Sequence, residues 1–389
     1  MRSSPSKVGY YVLEGINSFA TAYFFNYLMF LLRDGHGFNN LNNLTVAALH
    51  GLTYIPASLF GGRFGQRHGK FLSLRIGFSG MAIAILLGWA ITGLGGQLLA
   101  LGLWTVALCF TWPVLEALVS EHEPAERLPN RVGLYNIIWA GMAALAFSTG
   151  GWIFQHLGAT SLYWLPVVLN VAMLVATWPL ERRHDSWAAQ QPTSTPRPLD
   201  PELPVRPRYF QQLAWLANPF NYMALNTVIA LAPGLADRAG LGLAQAGVVL
   251  SVWFYVRALA FLKLWLWAGW HYRFDWFIGA FVLLLLSYVV LVQARTVPVL
   301  VVAQVGLGWA SALLYYSSLY YSMDGSETHS EHGGIHEALI GAGICAGPGL
   351  SAAGLWLTGQ PAAPAWVVAG ALAAAIAGSW QLRRRAFVR

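Results

Sequence analysis

The chain has 389 residues, of which 57% are hydrophobic and 10% charged, with a mean hydropathy of +0.52 and a formal net charge of +7. Its 16 acids and 23 bases cannot supply the charged shell of a soluble protein of this length, where charge content runs near ~25%. Disorder is excluded by 18 Trp, 16 Tyr and 20 Phe, and a nucleic-acid surface by the placement of the bases in short segments between apolar runs, which leaves an integral membrane protein.

A helix crossing about 30 Å of hydrocarbon needs roughly 20 apolar residues, and twelve such runs are predicted. In chain order they cover about 9–32, 44–61, 72–93, 98–119, 132–154, 162–180, 210–232, 242–266, 276–293, 299–320, 335–357 and 364–381. The first resembles a signal peptide in having Arg2 and Lys7 ahead of it, but its apolar stretch runs some ten residues beyond Ala20-Thr21-Ala22, so a retained helix is expected. The long interruption at 181–209 is polar and Pro-rich and predicts a cytoplasmic linker between two six-helix bundles, 1–180 and 210–389. With the N-terminus inside, 18 of the 23 bases fall on the inner side, and only Arg33, Arg238 and Arg295 fall outside. Both termini and the linker are therefore expected in the cytoplasm, in a bacterial inner membrane. Cys109 and Cys345 sit within apolar runs and imply no disulfide, and the sequon at Asn43 lies too near the membrane to inform.

The two bundles suggest a duplication. Spans five and eleven, from Arg131 and His336, both follow a charged inner segment and lead into small residues, and spans one and seven share Phe25-Asn26-Tyr27 and Phe220-Asn221-Tyr222. Between spans two and three lies Gly62-Arg-Phe-Gly-Gln66-Arg67-His68-Gly69-Lys70. This segment resembles the signature loop of the major facilitator superfamily, with Gly62, Arg67, Gly69 and Lys70 matching and Gln66 in place of the family's acid. The resemblance implies an all-α fold of twelve transmembrane helices in two pseudo-symmetric bundles, a gating loop at these five residues, and a central cavity lined by spans 1, 4, 7 and 10 with parts of 2, 5, 8 and 11. The family's antiporter motif is absent from span five, although its Gly-Pro core occurs on span eleven at Gly347-Pro348. Gly141, Gly150, Gly151, Gly341, Gly343 and Gly347 are expected to allow close helix packing.

Charges within the spans carry the functional reading, because each costs about 2.5–3.5 kcal/mol at mid-helix and needs a partner or a task. Glu14, Glu116 and Glu337 are the expected proton carriers, and Arg257, deep in span eight, a substrate anchor. Pairing of Glu116 or Glu337 with Arg131 or Lys263 is the competing expectation, and Lys263 can snorkel to the interface. Substrate contacts are expected from Asn17 and Thr21, which share a face with Glu14 and Phe24, from Asn136 and Trp139 on span five, and from Asn218 and Asn221 on span seven. Asn226 points away from the last pair, so only one part of that set can face a narrow cavity. Tyr316 belongs to an aromatic group on span ten that suits a clamp, while His50 reads as a packed, hydrogen-bonded histidine.

The segment 324–337 gathers His329, His332 and His336 with four acids. On one continuous helix the histidines would share a face suited to a transition metal, but Gly333-Gly334 is expected to interrupt it, which favours a solvated inner loop. No P-loop or nucleophile elbow occurs, so neither an ATP-driven pump nor an enzyme is indicated, and no cofactor is implied. The expected protein is a monomeric secondary transporter of a small organic solute, proton-coupled and working by alternating access. A transition-metal transporter and a polytopic membrane enzyme are the alternatives.

Overall fold

The computed structural model describes residues 6–121, 123, 127–189, 205–324 and 329–387, with the side chains of 322–324 and 329–335 among the few left out of these ranges. The described chain is helical throughout: α1 (Lys7–His36), α2 (Asn40–His68), α3 (Lys70–Ala90), α4 (Leu94–Leu108), α5 (Trp112–Ser120), α6 (Leu128–Leu157), α7 (Ser161–Ala188), α8 (Val205–Arg238), α9 (Leu243–Leu250), α10 (Val252–Leu266), α11 (Phe274–Gln293), α12 (Val297–Asp324), α13 (His329–Thr358) and α14 (Ala363–Phe387), with a 3-10 turn at Ala268–Trp270. Because α4 with α5 and α9 with α10 each form one broken span, these helices make twelve spans. Ten are apolar and long enough to cross a membrane; α1 and α8 have the length, and polar residues such as Glu14, Asn17, Asn218 and Asn221 lower their hydropathy.

Most helices outrun their apolar cores, α2 by several residues to His68 and α7 to Ala188, since backbone hydrogen bonding continues after hydrophobicity stops. The segment that resembles the signature loop is largely helix for this reason. Gly62, Gln66 and Arg67 lie in the last turns of α2, and Gly69, at φ 104°, is the sole non-helical residue before Lys70 opens α3. A side chain there would be strained, which accounts for glycine at the corner. Lys70 pairs with Glu121 just beyond α5, so this corner is tied to span four. The expectation for Gly333-Gly334 is also corrected: α13 runs unbroken from His329. Two glycines cost about 2 kcal/mol of helix propensity, an amount that packing of α13 along α2 and α8 outweighs.

The two breaks have different causes, one local and one distant in sequence. After α4, Cys109–Thr111 leave the helix and Pro113 restarts it, because proline offers no N–H to the preceding turn. Between α9 and α10 the break falls at Ser251, where Gln304 on α12 supplies the missing bonds: its Nε2 donates to the Val249 carbonyl at 2.8 Å and its Oε1 accepts from the Trp253 N–H at 3.4 Å. A broken helix needs such partners inside a membrane.

Helices α2 and α13 pack together, as do α6 and the pair α9–α10, so the first six spans meet the last six along two seams. Contacts bridge the two sets of spans at each end of the space between them. At the face bearing the termini, Trp265 on α10 donates to Asn130 Oδ1 at 2.8 Å. At the far face Arg33 on α1 bonds Asp237 on α8 at 2.6 Å and the Pro233 carbonyl at 3.2 Å. Exposed pairs of this kind contribute at most about 1 kcal/mol, so Asp237→Asn is expected to raise opening at the far face by up to about fivefold. The rate of maleimide labelling of a cysteine at Ala22, in protein lacking Cys109 and Cys345, reads this; an unchanged rate would show that the pair is no gate.

Candidate functional site

A cavity of about 160 Å³ lies between the two sets of spans. Helix α1 contributes Glu14, Ser18, Thr21, Phe25 and Asn26, a stripe at helical spacing rotated by one position from the expected Glu14, Asn17, Thr21, Phe24. Span four adds Trp112 and Glu116 just beyond its break, span eight adds Trp253 and Arg257 just beyond its own, and Glu337 comes from α13. Of the five intramembrane charges singled out in the sequence, Glu14, Glu116, Arg257 and Glu337 thus reach the cavity wall, together with Thr21 and Trp139, and Lys263 does not.

Asn17, Asn136, Asn218, Asn221 and Tyr316 do not lie on that wall. Most of them are used in packing. Asn17 Nδ2 donates to Thr111 Oγ1 at 3.3 Å beside the break in span four, Asn136 Oδ1 accepts the Trp139 indole N–H at 3.1 Å, and Asn221 Nδ2 reaches the Ser311 carbonyl at 3.5 Å. Asn218 is fully buried. Tyr316 packs on Trp270, with ring centroids 5.4 Å apart. On span seven it is Asn226, not the pair, that faces the cavity. The glycine expectation holds a similar lesson: Gly151, Gly341, Gly343 and Gly347 each abut another span, whereas Gly141 faces open space.

Glu14 is buried, with Oε1 accepting from Ser18 at 2.8 Å and Oε2 without a partner. Glu337 accepts a hydrogen bond at Oε2 from the Tyr54 hydroxyl, joining spans eleven and two. Arg257 is 2% exposed and sits among aromatic faces, its guanidinium carbon 4.6 Å from the Trp139 centroid, 5.0 Å from Tyr315, 5.4 Å from Phe261 and 5.7 Å from Tyr222. Ring quadrupoles favour a cation held there without neutralising it. Among the described residues, no salt bridge involves Glu14, Glu116, Glu337 or Arg257; Arg131 bonds Glu123 instead, at 3.2 Å, and Lys263 lies over Trp267.

Sequence reasoning did not assign Tyr54, Tyr135, Tyr222 or Asn226 to the site, and it read His50 as packing; of the aromatic group on span ten that suits a clamp, Tyr315 is the member that lines the cavity. His50 and Tyr54 are four residues apart and form a polar stripe on span two, a signal of the same kind as that on span one. The Thr105 hydroxyl donates to the Leu101 carbonyl at 2.7 Å, so His50 Nδ1–H donates to Thr105 Oγ1 at 2.7 Å, and Nε2 is left as an acceptor. Tyr54→Phe removes a charge-assisted bond across the seam, worth about 1.5–3 kcal/mol. It is expected to raise opening of the α2–α13 seam at least tenfold, as read by labelling of a cysteine placed at Ile340. Labelling equal to that of wild type would assign the bond no part in closure.

His336 is buried, with Nδ1 3.2 Å from Ser318 Oγ and its ring edge-on to Tyr315, and it is not on the cavity wall. The side chains of His329 and His332 lie outside the described residues. Among the described residues no group of three or more His, Cys, Asp or Glu is placed to hold a metal ion.

Twelve helical spans among the described residues, set around a central cavity that holds buried charges, have the organisation of a multi-pass membrane transporter. The family model of the Major Facilitator Superfamily matches residues 12–263, and the chain belongs to that superfamily. Among solved structures, it is similar to the nucleoside transporter NupG, with a TM-score of 0.72 at 14% identity over 98% of this chain and 99% of that one. It is likewise similar to the human organic anion transporter MFSD10 (TETRAN), with a TM-score of 0.68 at 15% identity over 97% of this chain and 99% of that one. At these identities the likeness concerns the fold. Comparison with curated protein sequences gives no significant match.

Proposed function

We propose that the protein is a proton-coupled secondary transporter that carries a small organic solute through the central cavity by alternating access. The spans within 1–180 and 210–389 act as two rocking halves joined by the linker 181–209, and both termini lie in the cytoplasm of a bacterial inner membrane. One observation carries this reading: Glu14, Glu116, Glu337 and Arg257 all line one cavity, and none of them is neutralised by a salt bridge among the described residues. A charge retained in a membrane at a cost of about 2.5–3.5 kcal/mol with no opposite charge to pair with is kept for a ligand or a proton. Desolvation and a passing cation pull a carboxylate's proton affinity in opposite directions, so a change in cavity hydration or occupancy loads and unloads it. NupG and MFSD10, described as carriers of nucleosides and organic anions, make a small organic solute the natural substrate class.

A thermal-shift screen of the purified protein against organic anions, nucleosides, amino acids and divalent metals tests the substrate class. A ligand at 100 times its Kd adds about 2.7 kcal/mol to the folded state. Organic solutes are expected to raise the unfolding midpoint; stabilisation by zinc or iron salts alone would overturn the reading.

A further inference from the structure

Arg257 has two nitrogens without a hydrogen-bond partner, Nε and Nη2. These are adjacent on one edge of the guanidinium and together make the side-on fork that accepts a planar oxyanion through two parallel N–H···O bonds. The aromatic faces of Trp139, Tyr222 and Tyr315 fix the plane of the group, so the fork is set before any ligand arrives. Arg257 and its rings come from α6, α8, α10 and α12. The acceptor groups come from other elements: Glu14 with its free Oε2 from α1, Glu116 from α5, Glu337 from α13 and His50 from α2. The donor and the acceptor groups of the one cavity are therefore carried by different elements.

Charge balance decides what fits. An organic anion satisfies Arg257 and adds to the excess of acids, whereas a cation leaves Arg257 unpaired in a site where an unpaired charge is costly. With protons on two of the three carboxylates, one acid and one guanidinium remain, and only a solute bearing both signs pairs with both.

The geometry points to a zwitterionic substrate, whose carboxylate lies on the Arg257 fork and whose ammonium group meets the acids carried by α1, α5 and α13 in the same cavity, with an apolar body against the aromatic rings. This rests on the cavity being the transport site, and it names the solute class. The rings of Phe25, Trp104, Trp112 and Phe254 supply the apolar wall.

The test uses two matched sets of probes on the purified full chain, with calorimetry as the readout. One set is phenylalanine, 3-phenylpropionate and 2-phenylethylamine; the other is leucine, 4-methylpentanoate and 3-methylbutylamine. Each zwitterion is expected to bind at least tenfold more tightly than either partner lacking one charge, since a hydrogen-bonded charge is worth about that factor or more. Arg257→Lys keeps the charge and loses the fork. It is expected to weaken the zwitterion at least tenfold and leave the amine unchanged, and its unfolding midpoint without ligand serves as the check on folding. Equal affinity for a singly charged member, no binding of either zwitterion, or full zwitterion affinity in Arg257→Lys overturns the inference. Transport itself is read separately: protein in liposomes that accumulates 3-phenylpropionate but not phenylalanine would refute the zwitterion and leave the transport reading intact.

Discussion

Replacing Arg257 with Gln is expected to raise the KM for a carboxylate-bearing solute by about 100-fold, because two charge-assisted bonds to the Nε and Nη2 fork are lost. Stability should move the other way. Arg257 is a buried cation stabilised by ring faces and by no salt bridge among the described residues, so removing its charge relieves an insertion cost and leaves no acid stranded. The account therefore predicts an unfolding midpoint unchanged or raised, together with the loss in uptake. A midpoint that falls along with uptake would instead make Arg257 part of the packing. Uptake kinetics in proteoliposomes and thermal unfolding of the same preparation separate the two outcomes.

The second large effect is expected on the seam between spans two and eleven. A Cβ at Gly51 would fall on the backbone of Cys345, and backbone cannot rotate away as a side chain can. Gly51→Val must push α2 and α13 apart at the level of the cavity, next to His50 and Tyr54, at an overpacking cost of about 1–3 kcal/mol. Closure around the substrate is then lost, and uptake should fall to background with the protein still inserted and monodisperse. Gly141→Ala is the matched control: nothing lies within 4 Å of its added methyl, and replacing a helical glycine adds up to about 1 kcal/mol of helix propensity. Uptake by Gly51→Val near the wild-type rate would mean that this seam need not close.

What could be read in the sequence followed the strength of the physical signal. Spans were legible because hydrocarbon imposes a length and an apolar composition, and even α1, whose polar residues lower its hydropathy, was found as an apolar run. Charges in spans were legible because they are costly, and Glu14, Glu116, Arg257 and Glu337 all reached the cavity. Neutral polar residues were less so. Asn17 and Ser18 lie one helical step apart, and which of them faces the cavity depends on a rotation of α1 of about 100°, set by packing partners that sequence does not reveal. Asn221 and Asn226 differ in the same way on α8. The breaks in spans four and eight were missed for distinct reasons: Pro113 is a visible signal, but the break at Ser251 is supported by Gln304 more than fifty residues away. Gly333-Gly334 shows the reverse error, a local propensity overruled by the helices against which α13 packs.

The central claim is that a proton gradient drives solute through this cavity by way of its carboxylates. Its most direct test is uptake into proteoliposomes, with the solute identified by thermal shift, an imposed pH gradient and no other ion gradient, comparing wild type with Glu14→Gln. The account predicts accumulation above equilibrium in wild type, abolished by a protonophore. In Glu14→Gln it predicts exchange of solute that continues with no response to the gradient. Accumulation by Glu14→Gln with the same gradient dependence as wild type would contradict the role of this carboxylate, and wild-type flux indifferent to pH would contradict proton coupling altogether.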